Sequence, residues 1–312
     1  MINELKSYGN VLENVDLREY NTFKLGGKTK YLVDVDSKES LIKLIKFLKE
    51  EKQKYFIIGN GSNIVFSDNF FDGVIIKLNK LDKFSIDYDT KTVTTEAGLM
   101  FPILVAAVVE KGLKGLEWAT GIPGTIGGSV VANAGAYNSA IFDSIKTVEI
   151  LDNDDNVKIL KKEDIKYDYR YTEFQDKKDI TILSVVFELV YGDIKESNAL
   201  ILDRRKRRIE SQPLDFPSAG SIFRNPNEEE VKEQLERHGL KGPFAGHLIE
   251  ECGLRGKRIG NAAISDKHAN FIVNLGNAKA DDVKALIDLA RTTVKEKFDI
   301  DLIIEQEFVN WE

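Results

Sequence analysis

The spacing of apolar residues predicts two strands and a helix near the start of the chain. Apolar and polar residues alternate at 31–35, which indicates a strand. At 37–51 apolar residues recur at helical spacing behind Ser37, a residue that can cap a helix. A short apolar run over Tyr55–Ile58 indicates a buried strand. The first ~80 residues are therefore expected to form a small α/β unit.

Strand patterns dominate the next part of the chain, with one helix among them. The apolar stretch 101–111, followed by Gly112, predicts a helix that the glycine ends. Polar residues at 87–90 predict a hairpin turn. The strands are predicted at 74–78, 84–88, 93–97, 148–151, 157–160 and 181–190. We therefore expect a second, α+β domain.

A third unit is predicted after a helix at 198–209, whose last part is the basic run 204–208. Two prolines within 211–217 break this helix. Further helices are expected at 228–238, 246–252 and 280–297, and a strand at 302–309.

Composition narrows the class of protein. Of the 312 residues 42% are hydrophobic and 30% charged, which is typical of a soluble globular protein and not of a disordered one. The formal net charge of −7 argues against a general nucleic-acid binder. We predict neither a signal peptide nor a membrane-spanning stretch, and we expect a cytoplasmic protein.

The cysteine and the histidines of this sequence indicate neither a disulfide nor a metal site. Cys252 is the sole cysteine, so no intramolecular disulfide can form, and we interpret it as a buried helix residue. The three histidines, His238, His247 and His268, do not have the spacing of metal ligands. No metal site is predicted.

The first candidate binding motif is Gly-Asn-Gly-Ser-Asn at 59–63, directly after the strand Tyr55–Ile58. Its two glycines allow positive φ, so successive amides can form a nest that binds phosphate. A tight turn between strands explains the same residues. The Rossmann fingerprint is excluded, because position 64 is isoleucine and a strand pattern follows it.

The second candidate motif is the segment 121–137, which we call the glycine-rich segment and which contains five glycines. Side chains this small let backbone approach either other backbone or a large flat ligand. Ile122, Ile126 and Val130 are too apolar for a solvated flexible linker. Approach to a ligand is favoured over plain packing.

Ser221 lies in the third candidate motif, at 217–226. It is a potential nucleophile or proton donor, although chemistry alone favours an ordinary turn serine. The hydrolase elbow Gly-x-Ser-x-Gly is excluded because the flanking glycines are missing. The basic run 204–208 is typical of a solvated helix face, or else projects one arginine toward a pyrophosphate.

Six motifs in one order, between positions 21 and 274, point to a single family. They are Asn-Thr-Phe at 21–23, the motif at 59–63, the glycine-rich segment, Ser-Ala-Gly-Ser-Ile-Phe-Arg-Asn-Pro at 218–226, Ala-Gly-His-Leu-Ile-Glu at 245–250 and Ser-Asp-Lys-His-Ala-Asn-Phe-Ile-Val-Asn at 265–274. Together they resemble the UDP-N-acetylenolpyruvoylglucosamine reductases of bacterial cell-wall precursor synthesis. The chain is too short for an insertion found in one branch, so it resembles the compact type II branch.

The resemblance implies an α+β fold with three domains. Residues 1–78 and 79–208 would form a FAD-binding module of the vanillyl-alcohol-oxidase-like, PCMH type. Residues 209–300 would form an α/β substrate-binding domain, and 301–312 a strand that returns to the active site. In that fold the FAD pyrophosphate rests on loop amides, which agrees with the missing Rossmann fingerprint.

The resemblance also implies the reaction, which is the NADPH-dependent reduction of UDP-N-acetylglucosamine enolpyruvate to UDP-N-acetylmuramate through non-covalently bound FAD. The hydride would come from flavin N5 and the proton from Ser221. Arg170 matches the arginine that steadies the carboxylate and the enolate, since guanidinium binds a planar anion through two bonds. Glu307 matches the assisting carboxyl group, which helps only if it is protonated or hydrogen-bonded. A monomer is expected.

Binding residues follow from the same match. Arg224 and Asn225 are expected to meet the diphosphate or the sugar of the substrate. The residues expected to bind FAD are Asn60, Gly61, Ser62, Asn63, Gly121, Ile122, Pro123, Gly124, Gly127, Gly128, Ser129, Asn133, Ala134, Gly135 and Arg208.

One residue departs from the family pattern, and the position of the catalytic glutamate has an alternative. Val309 stands where the family commonly has an arginine, two residues after the catalytic glutamate. Glu305 and Glu307 are expected on the same face of one strand, so a register slip would exchange their roles, although Glu307 fits the motif better. Without the resemblance, Arg170 is typical of a surface salt bridge and Glu307 of an exposed strand position.

Two other functions remain alternatives at this stage. One is a flavin oxidase of the same fold that acts on an alcohol or a sugar. Such enzymes often attach FAD through a histidine, but no histidine precedes His238. The other is a non-catalytic regulator that has kept its nucleotide site.

Overall fold

The structure is a computed structural model that describes residues 1–311, and its elements form two compact units. Position 312, the end of the predicted segment 301–312, lies outside the described residues. Unit 1 consists of Met1–Val15, Thr29–Asn60 and Asp72–Arg208. Unit 2 consists of Asp16–Lys28, Gly61–Phe71 and the described residues from 209 onward. The predicted boundaries of three domains stay a prediction.

One sheet of unit 1 has four strands and is covered by a helix. In spatial order the strands are Gly9–Asp16, Lys28–Val35, Phe71–Lys77 and Tyr55–Ile58. The helix Lys38–Glu50 begins behind Ser37, whose hydroxyl oxygen accepts a hydrogen bond from the Ser40 N–H (3.1 Å). Its fully buried stripe consists of Leu41, Leu44, Ile45 and Leu48. The predicted helix and its cap are confirmed.

The second sheet of unit 1 is antiparallel and has five strands. In spatial order they are Val157–Lys161, Ile145–Leu151, Thr181–Glu188, Thr92–Glu96 and Phe84–Asp87. The helix Phe101–Glu110 packs into the same core, where the Phe101 ring meets Trp118 edge to face at 5.5 Å. Gly112 follows that helix with φ of 72°, as the sequence predicts.

Shorter elements complete unit 1. Three small antiparallel pairs are Leu113–Lys114 with Val190–Tyr191, Gly135–Ala136 with Ser139–Ala140, and Tyr167–Asp168 with Tyr171–Thr172. The remaining α-helices are Ile2–Leu5, Ile126–Val131 and Ile194–Ser211, the last of which ends beyond the unit boundary. The 3₁₀ turns are Glu117–Ala119, Ile141–Asp143, Lys162–Asp164 and Glu173–Gln175.

Unit 2 is built around the long helix Ala280–Phe298. Its buried face, which includes Val283, Leu286 and Ile287, packs in one core with the sheet Arg258–Ile259, Ala262–Ile264 and Ile272–Asn274. The other elements of this unit are the 3₁₀ turn Leu17–Tyr20, the helices Glu228–His238 and Ala245–Glu251, and the parallel pair Ile64–Phe66 with Glu307–Val309. None of the helices within residues 1–311 has the length and apolar character needed to cross a bilayer.

Three predicted elements differ from the structure. The basic helix begins at Ile194 instead of 198, because the Asp193 carboxylate accepts hydrogen bonds from the N–H groups of Lys195 (2.8 Å) and Glu196 (3.0 Å) and so caps an earlier start. The strand predicted at 302–309 is wrong over its first part, since only Glu307–Val309 is strand. Cys252 follows its helix instead of lying inside it, and it is half-buried.

His268 should make the stability of the fold depend on pH. Burial, and then the nearby Arg255, hold the pKa of this imidazole below its ordinary value. Its Nδ1 accepts a hydrogen bond from the Asn270 N–H (3.2 Å), which only the neutral ring can do. Below about pH 6.5 the unfolded chain therefore binds a proton that the folded chain does not.

We accordingly expect the free energy of unfolding to fall as the pH drops below about 6.5, until the ring is protonated in the folded protein as well. Urea unfolding at several pH values, compared between wild type and His268→Gln, checks this. The variant should lose less stability over the acidic range. An equal loss in both proteins would contradict the prediction.

Candidate active site

Arg170 occupies an unusual turn in unit 1. It lies with Tyr169 in the two-residue turn that joins Tyr167–Asp168 to Tyr171–Thr172, and its φ is 54°. Residues other than glycine seldom adopt this left-handed conformation, which costs on the order of 1 kcal/mol or more. Eleven other non-glycine residues within 1–311 share this conformation, so the contacts that hold Arg170 in place decide its importance.

Hydrogen bonds from neighbouring segments fix this hairpin. The Asn133 side-chain amide donates to the Asp168 carbonyl (2.7 Å). The Thr172 hydroxyl donates to the Val131 carbonyl (2.7 Å). The Gln175 side-chain amide donates to the carbonyls of Arg170 and Val131, both at 3.0 Å. The turn is therefore held against the end of the helix Ile126–Val131, inside the glycine-rich segment.

The side chain of Arg170 turns toward the same segment. It is half-buried, and its Nη2 donates to the Gly135 carbonyl. A Cβ atom at Gly135 would lie 2.7 Å from Arg170 Nη1 and 2.5 Å from the Ser139 carbonyl oxygen. Position 135 must therefore be glycine for the guanidinium to take this place.

The Gly59–Asn60 corner contacts the start of the glycine-rich segment. The Asn60 side-chain amide donates to the Pro123 carbonyl (2.7 Å). A Cβ atom at Gly59 would lie 2.2 Å from Thr125 Oγ1. Both contacts need this close approach, so packing against the segment accounts for the glycine at position 59.

The predicted cofactor residues of the segment differ in exposure. Gly127 packs against Ala97, where an added Cβ atom would lie 2.9 Å from the Ala97 Cβ, so packing accounts for this glycine. The exposed members are Gly121, Pro123 and Gly128, the half-buried ones Ile122, Gly124, Ala134 and Gly135, and the buried ones Gly127, Ser129 and Asn133. Some small residues of this segment are therefore buried by packing, whereas others leave the backbone exposed, where a ligand can approach it.

Arg208 places a cation beside this segment. Gly121 has φ of 78°, and a Cβ atom on it would lie 3.0 Å from Arg208 Nε. Burial lowers the pKa of the Arg208 guanidinium, and the nearby Tyr137 only partly opposes this. Within residues 1–311 no carboxylate forms an ion pair with it. A desolvated cation of this kind suits an anionic ligand.

Arg204 lies one helical turn before Arg208 and ties the helix to the glycine-rich segment. Its guanidinium lies over the Tyr137 ring, 5.0 Å from the centroid. The Tyr137 hydroxyl donates to the Arg204 carbonyl (3.1 Å). The interpretation of 204–208 as a wholly solvated face is therefore wrong for two of its arginines.

Ser221 is fixed within unit 2. It is half-buried and pairs with Phe271 in an isolated antiparallel bridge. Its neighbour Phe223 is held on both sides by one side chain, because Asn270 accepts from the Phe223 N–H (3.0 Å) and donates to the Phe223 carbonyl (2.8 Å). The Thr22 hydroxyl donates to the Ser218 carbonyl (2.7 Å). Ser221 therefore lies in an extended segment that hydrogen bonds hold in place on both sides.

Glu307 begins the short strand Glu307–Val309 and is half-buried. Its N–H donates to the Asn63 carbonyl (3.0 Å), and the Asn63 side-chain amide donates to the Glu305 carbonyl (3.2 Å). Glu305 lies outside the strand, so the expected placement of both carboxylates on one strand face is wrong. Val309 is 5% exposed, so the position where the family commonly has an arginine is buried and apolar here.

The remaining predicted residues of unit 2 differ in burial and in their contacts. Gly61 is buried with φ of 64°, and a Cβ atom there would lie 2.6 Å from the Tyr20 carbonyl oxygen. Ser62 is half-buried beside it.

The two candidate substrate contacts differ in exposure. Arg224 is half-buried, with its N–H bonded to the Ile303 carbonyl (2.9 Å). Asn225 is exposed, and its side-chain oxygen accepts from the Ala245 N–H (3.1 Å).

Two family models match the sequence. One, described as the C-terminal domain of UDP-N-acetylenolpyruvoylglucosamine reductase, covers residues 212–309. The other, described as a FAD binding domain, covers residues 29–161. They account for most of both units.

Whole proteins with this name are similar to the chain over nearly its full length. The protein from Caldicellulosiruptor saccharolyticus is 42% identical over 302 residues, which is 96% of this chain and 91% of the relative. The protein from Clostridium perfringens strain SM101 is 36% identical over 309 residues, which is 99% of this chain and 96% of the relative.

A solved structure extends the comparison to the fold. The crystal structure of the UDP-N-acetylenolpyruvylglucosamine reductase from Thermus caldophilus matches with a TM-score of 0.76 at 29% identity, over 96% of this chain and 98% of that one. The predicted α+β fold and the FAD cofactor are confirmed. The chain belongs to the UDP-N-acetylenolpyruvoylglucosamine reductase family of FAD-binding oxidoreductases.

Proposed function

We propose that the protein uses NADPH to reduce UDP-N-acetylglucosamine enolpyruvate to UDP-N-acetylmuramate, in the cytoplasm and as a monomer. The reaction consumes one NADPH and one proton and converts an enolpyruvyl ether into a lactyl ether. Bound FAD, held by the glycine-rich segment and Arg208, would supply the hydride-transfer chemistry that connects NADPH to the vinyl methylene carbon of the substrate. The observation that carries the proposal is the Arg170 guanidinium, held in a strained turn against the glycine-rich segment.

Arg170 would bind the substrate carboxylate and stabilise the negative charge that develops as the double bond is reduced. A guanidinium suits this task, because it stays charged and donates two parallel hydrogen bonds to a planar anion. The bonds from Asn133, Thr172 and Gln175 orient the turn beforehand, so little reorganisation is needed during the reaction.

Ser221 would give the proton to the carbon next to the carboxylate. A hydroxyl is a weak acid in water, but a fixed donor at a water-excluded site can still supply a large rate factor. The bonds that Asn270 makes to Phe223 and that Thr22 makes to Ser218 support such a fixed position.

Glu307 would assist this stabilisation as a protonated or hydrogen-bonded carboxyl group, since a free carboxylate would repel the developing charge. Arg224 and Asn225 would contact the diphosphate or the sugar. The Asn225 side-chain oxygen already accepts from Ala245, so its amide group would be the part that reaches the substrate. The predicted FAD residues, including Asn60, would present backbone amides and Arg208 to the cofactor.

Arg208 provides a test of the cofactor site. We expect Arg208→Met to raise the Kd of the apoprotein for FAD roughly 10- to 100-fold, because a charge-assisted hydrogen bond contributes about 1.5–3 kcal/mol. Fluorescence quenching of FAD measures this. Arg205→Met, at an exposed position of the same helix, is the matched control and should leave the Kd unchanged. Equal affinities in wild type and Arg208→Met would contradict this role.

Product analysis tests the proposed function itself. The purified protein, loaded with FAD and given NADPH and the enolpyruvyl substrate, should form UDP-N-acetylmuramate, two hydrogen atoms heavier than the substrate. Mass spectrometry detects the product, and NADPH absorbance should fall in equal amount. Oxidation of an alcohol or a sugar with consumption of oxygen, without this product, would favour the oxidase alternative instead.

A further inference from the structure

The chain changes hydrogen-bonding partners at Gln306. Before it, residues 303–305 follow the Ser221 segment, with the Arg224 N–H bonded to the Ile303 carbonyl (2.9 Å) and the Glu305 N–H to the Ile222 carbonyl (2.8 Å). After it, Glu307–Val309 pairs in parallel with Ile64–Phe66. Gln306 therefore stands between the pairing that borders Ser221 and the pairing that carries Glu307.

The Gln306 side chain makes a further hydrogen bond to the Ser221 segment, although the backbone no longer pairs with that segment at this residue. It is 6% exposed, and its Nε2 donates to the Ala219 carbonyl (3.0 Å). Ala219 precedes Gly220, whose φ of 79° requires a glycine, and Gly220 precedes Ser221. The Ala219 carbonyl belongs to the peptide group that joins Ala219 to Gly220, so the bond from Gln306 holds the chain at the residue before Ser221.

We propose that Gln306 is a positioning residue that sets Ser221 relative to Glu307. The inference rests on the proposed function, in which these two residues act on the substrate. One buried amide reaches the segment of Ser221 and is bonded through the main chain to Glu307, so the two segments cannot shift independently while the bond is intact. Catalysis is sensitive to such shifts, since a displacement of about 1 Å can cost about 100-fold in rate.

The unpartnered oxygen of this amide makes the proposal testable without unfolding the protein. Gln306 Oε1 is buried and accepts no hydrogen bond from residues 1–311. Replacement by methionine, which has a similar shape, removes the bond to the Ala219 carbonyl and leaves that carbonyl without this donor, but it also removes the unsatisfied acceptor Oε1. These changes oppose each other in stability, so the Tm of Gln306→Met should stay within about 3 °C of the wild-type value.

The experiment compares the two half-reactions of the FAD-loaded protein in rapid mixing. In Gln306→Met, oxidation of the reduced flavin by the enolpyruvyl substrate should slow about 10- to 100-fold, whereas flavin reduction by NADPH should keep its rate. Gln234→Met, the same change at a half-buried helix position of unit 2, is the control and should match the wild type in both steps. A variant with wild-type rates in both steps overturns the proposal, and so does an equal slowing of both steps with a lowered Tm.

Gln306→Glu adds a second, independent readout. A buried carboxyl group flanked by Glu305 and Glu307 should remain protonated well above its ordinary range, and its O–H can then donate to the Ala219 carbonyl. Its substrate-dependent rate relative to wild type should therefore be higher at about pH 6 than at about pH 9. A ratio that does not change with pH overturns the proposal. If the wild type itself fails to oxidise its reduced flavin with the substrate, the proposed function fails and not this inference alone.

Discussion

Replacement of Ser221 by alanine should slow oxidation of the reduced flavin by the enolpyruvyl substrate about 10²- to 10⁴-fold. The hydroxyl is the proposed proton donor, and alanine has no proton to give. Flavin reduction by NADPH needs no proton from this side chain, so its rate should stay within about 2-fold of the wild type. Anaerobic stopped-flow absorbance resolves the two steps.

Ser218→Ala is the matched control for this variant, because it removes a hydroxyl from the same motif. Among residues 1–311, Ser218 is engaged through its backbone carbonyl, which accepts from the Thr22 hydroxyl, and the substitution keeps that carbonyl. The control should behave as the wild type does in both half-reactions. If Ser221→Ala also reacts at the wild-type rate, another group supplies the proton.

Arg170→Lys should lower the rate of the substrate-dependent step about 10²- to 10³-fold, the usual cost of losing one donor that stabilises developing negative charge. Lysine keeps the positive charge but cannot form the two parallel hydrogen bonds of a guanidinium. It also gives up the arginine's bond to the Gly135 carbonyl, which orients the group. Rapid mixing of the reduced variant with substrate measures the effect.

Tyr171→Phe on the same hairpin tests whether any change there would lower activity. It removes the bond from the Tyr171 hydroxyl to the Asp176 carboxylate (2.5 Å), which is exposed, and leaves the turn at Arg170 in place. Its rates should equal those of the wild type. Wild-type activity in Arg170→Lys would show that charge alone suffices and that the geometry of the turn has no catalytic role.

The sequence predicts most of the regular elements because their signals are local. The helix over Lys38–Glu50 carries its apolar stripe and its cap at Ser37 within one short stretch, and the structure confirms both. The early start of the helix Ile194–Ser211 also has a local signal, which is the cap at Asp193. The last part of the chain is harder to predict, because residues 303–306 bond to the distant segment 219–224 and do not form a strand.

The candidate site is predictable only in part, for the same physical reason. Glycine-rich motifs predict that two backbone segments approach each other closely. The resemblance to the family identifies Arg170, Ser221 and Glu307 as candidate catalytic residues. The residues that hold them have no such signal. Gln175 lies in a 3₁₀ turn and Gln306 in an irregular stretch, and each makes a hydrogen bond to a position far away in the chain, Gln175 to Val131 and Gln306 to Ala219. Only the folded structure brings these partners together.

Anaerobic reoxidation of the flavin tests the account most directly. The FAD-loaded protein should be yellow, and its absorption band should disappear when one equivalent of NADPH is added. Addition of one equivalent of UDP-N-acetylglucosamine enolpyruvate, without oxygen, should restore the band and yield one equivalent of UDP-N-acetylmuramate. A flavin that stays reduced in the presence of this substrate, with no product formed, would contradict the account.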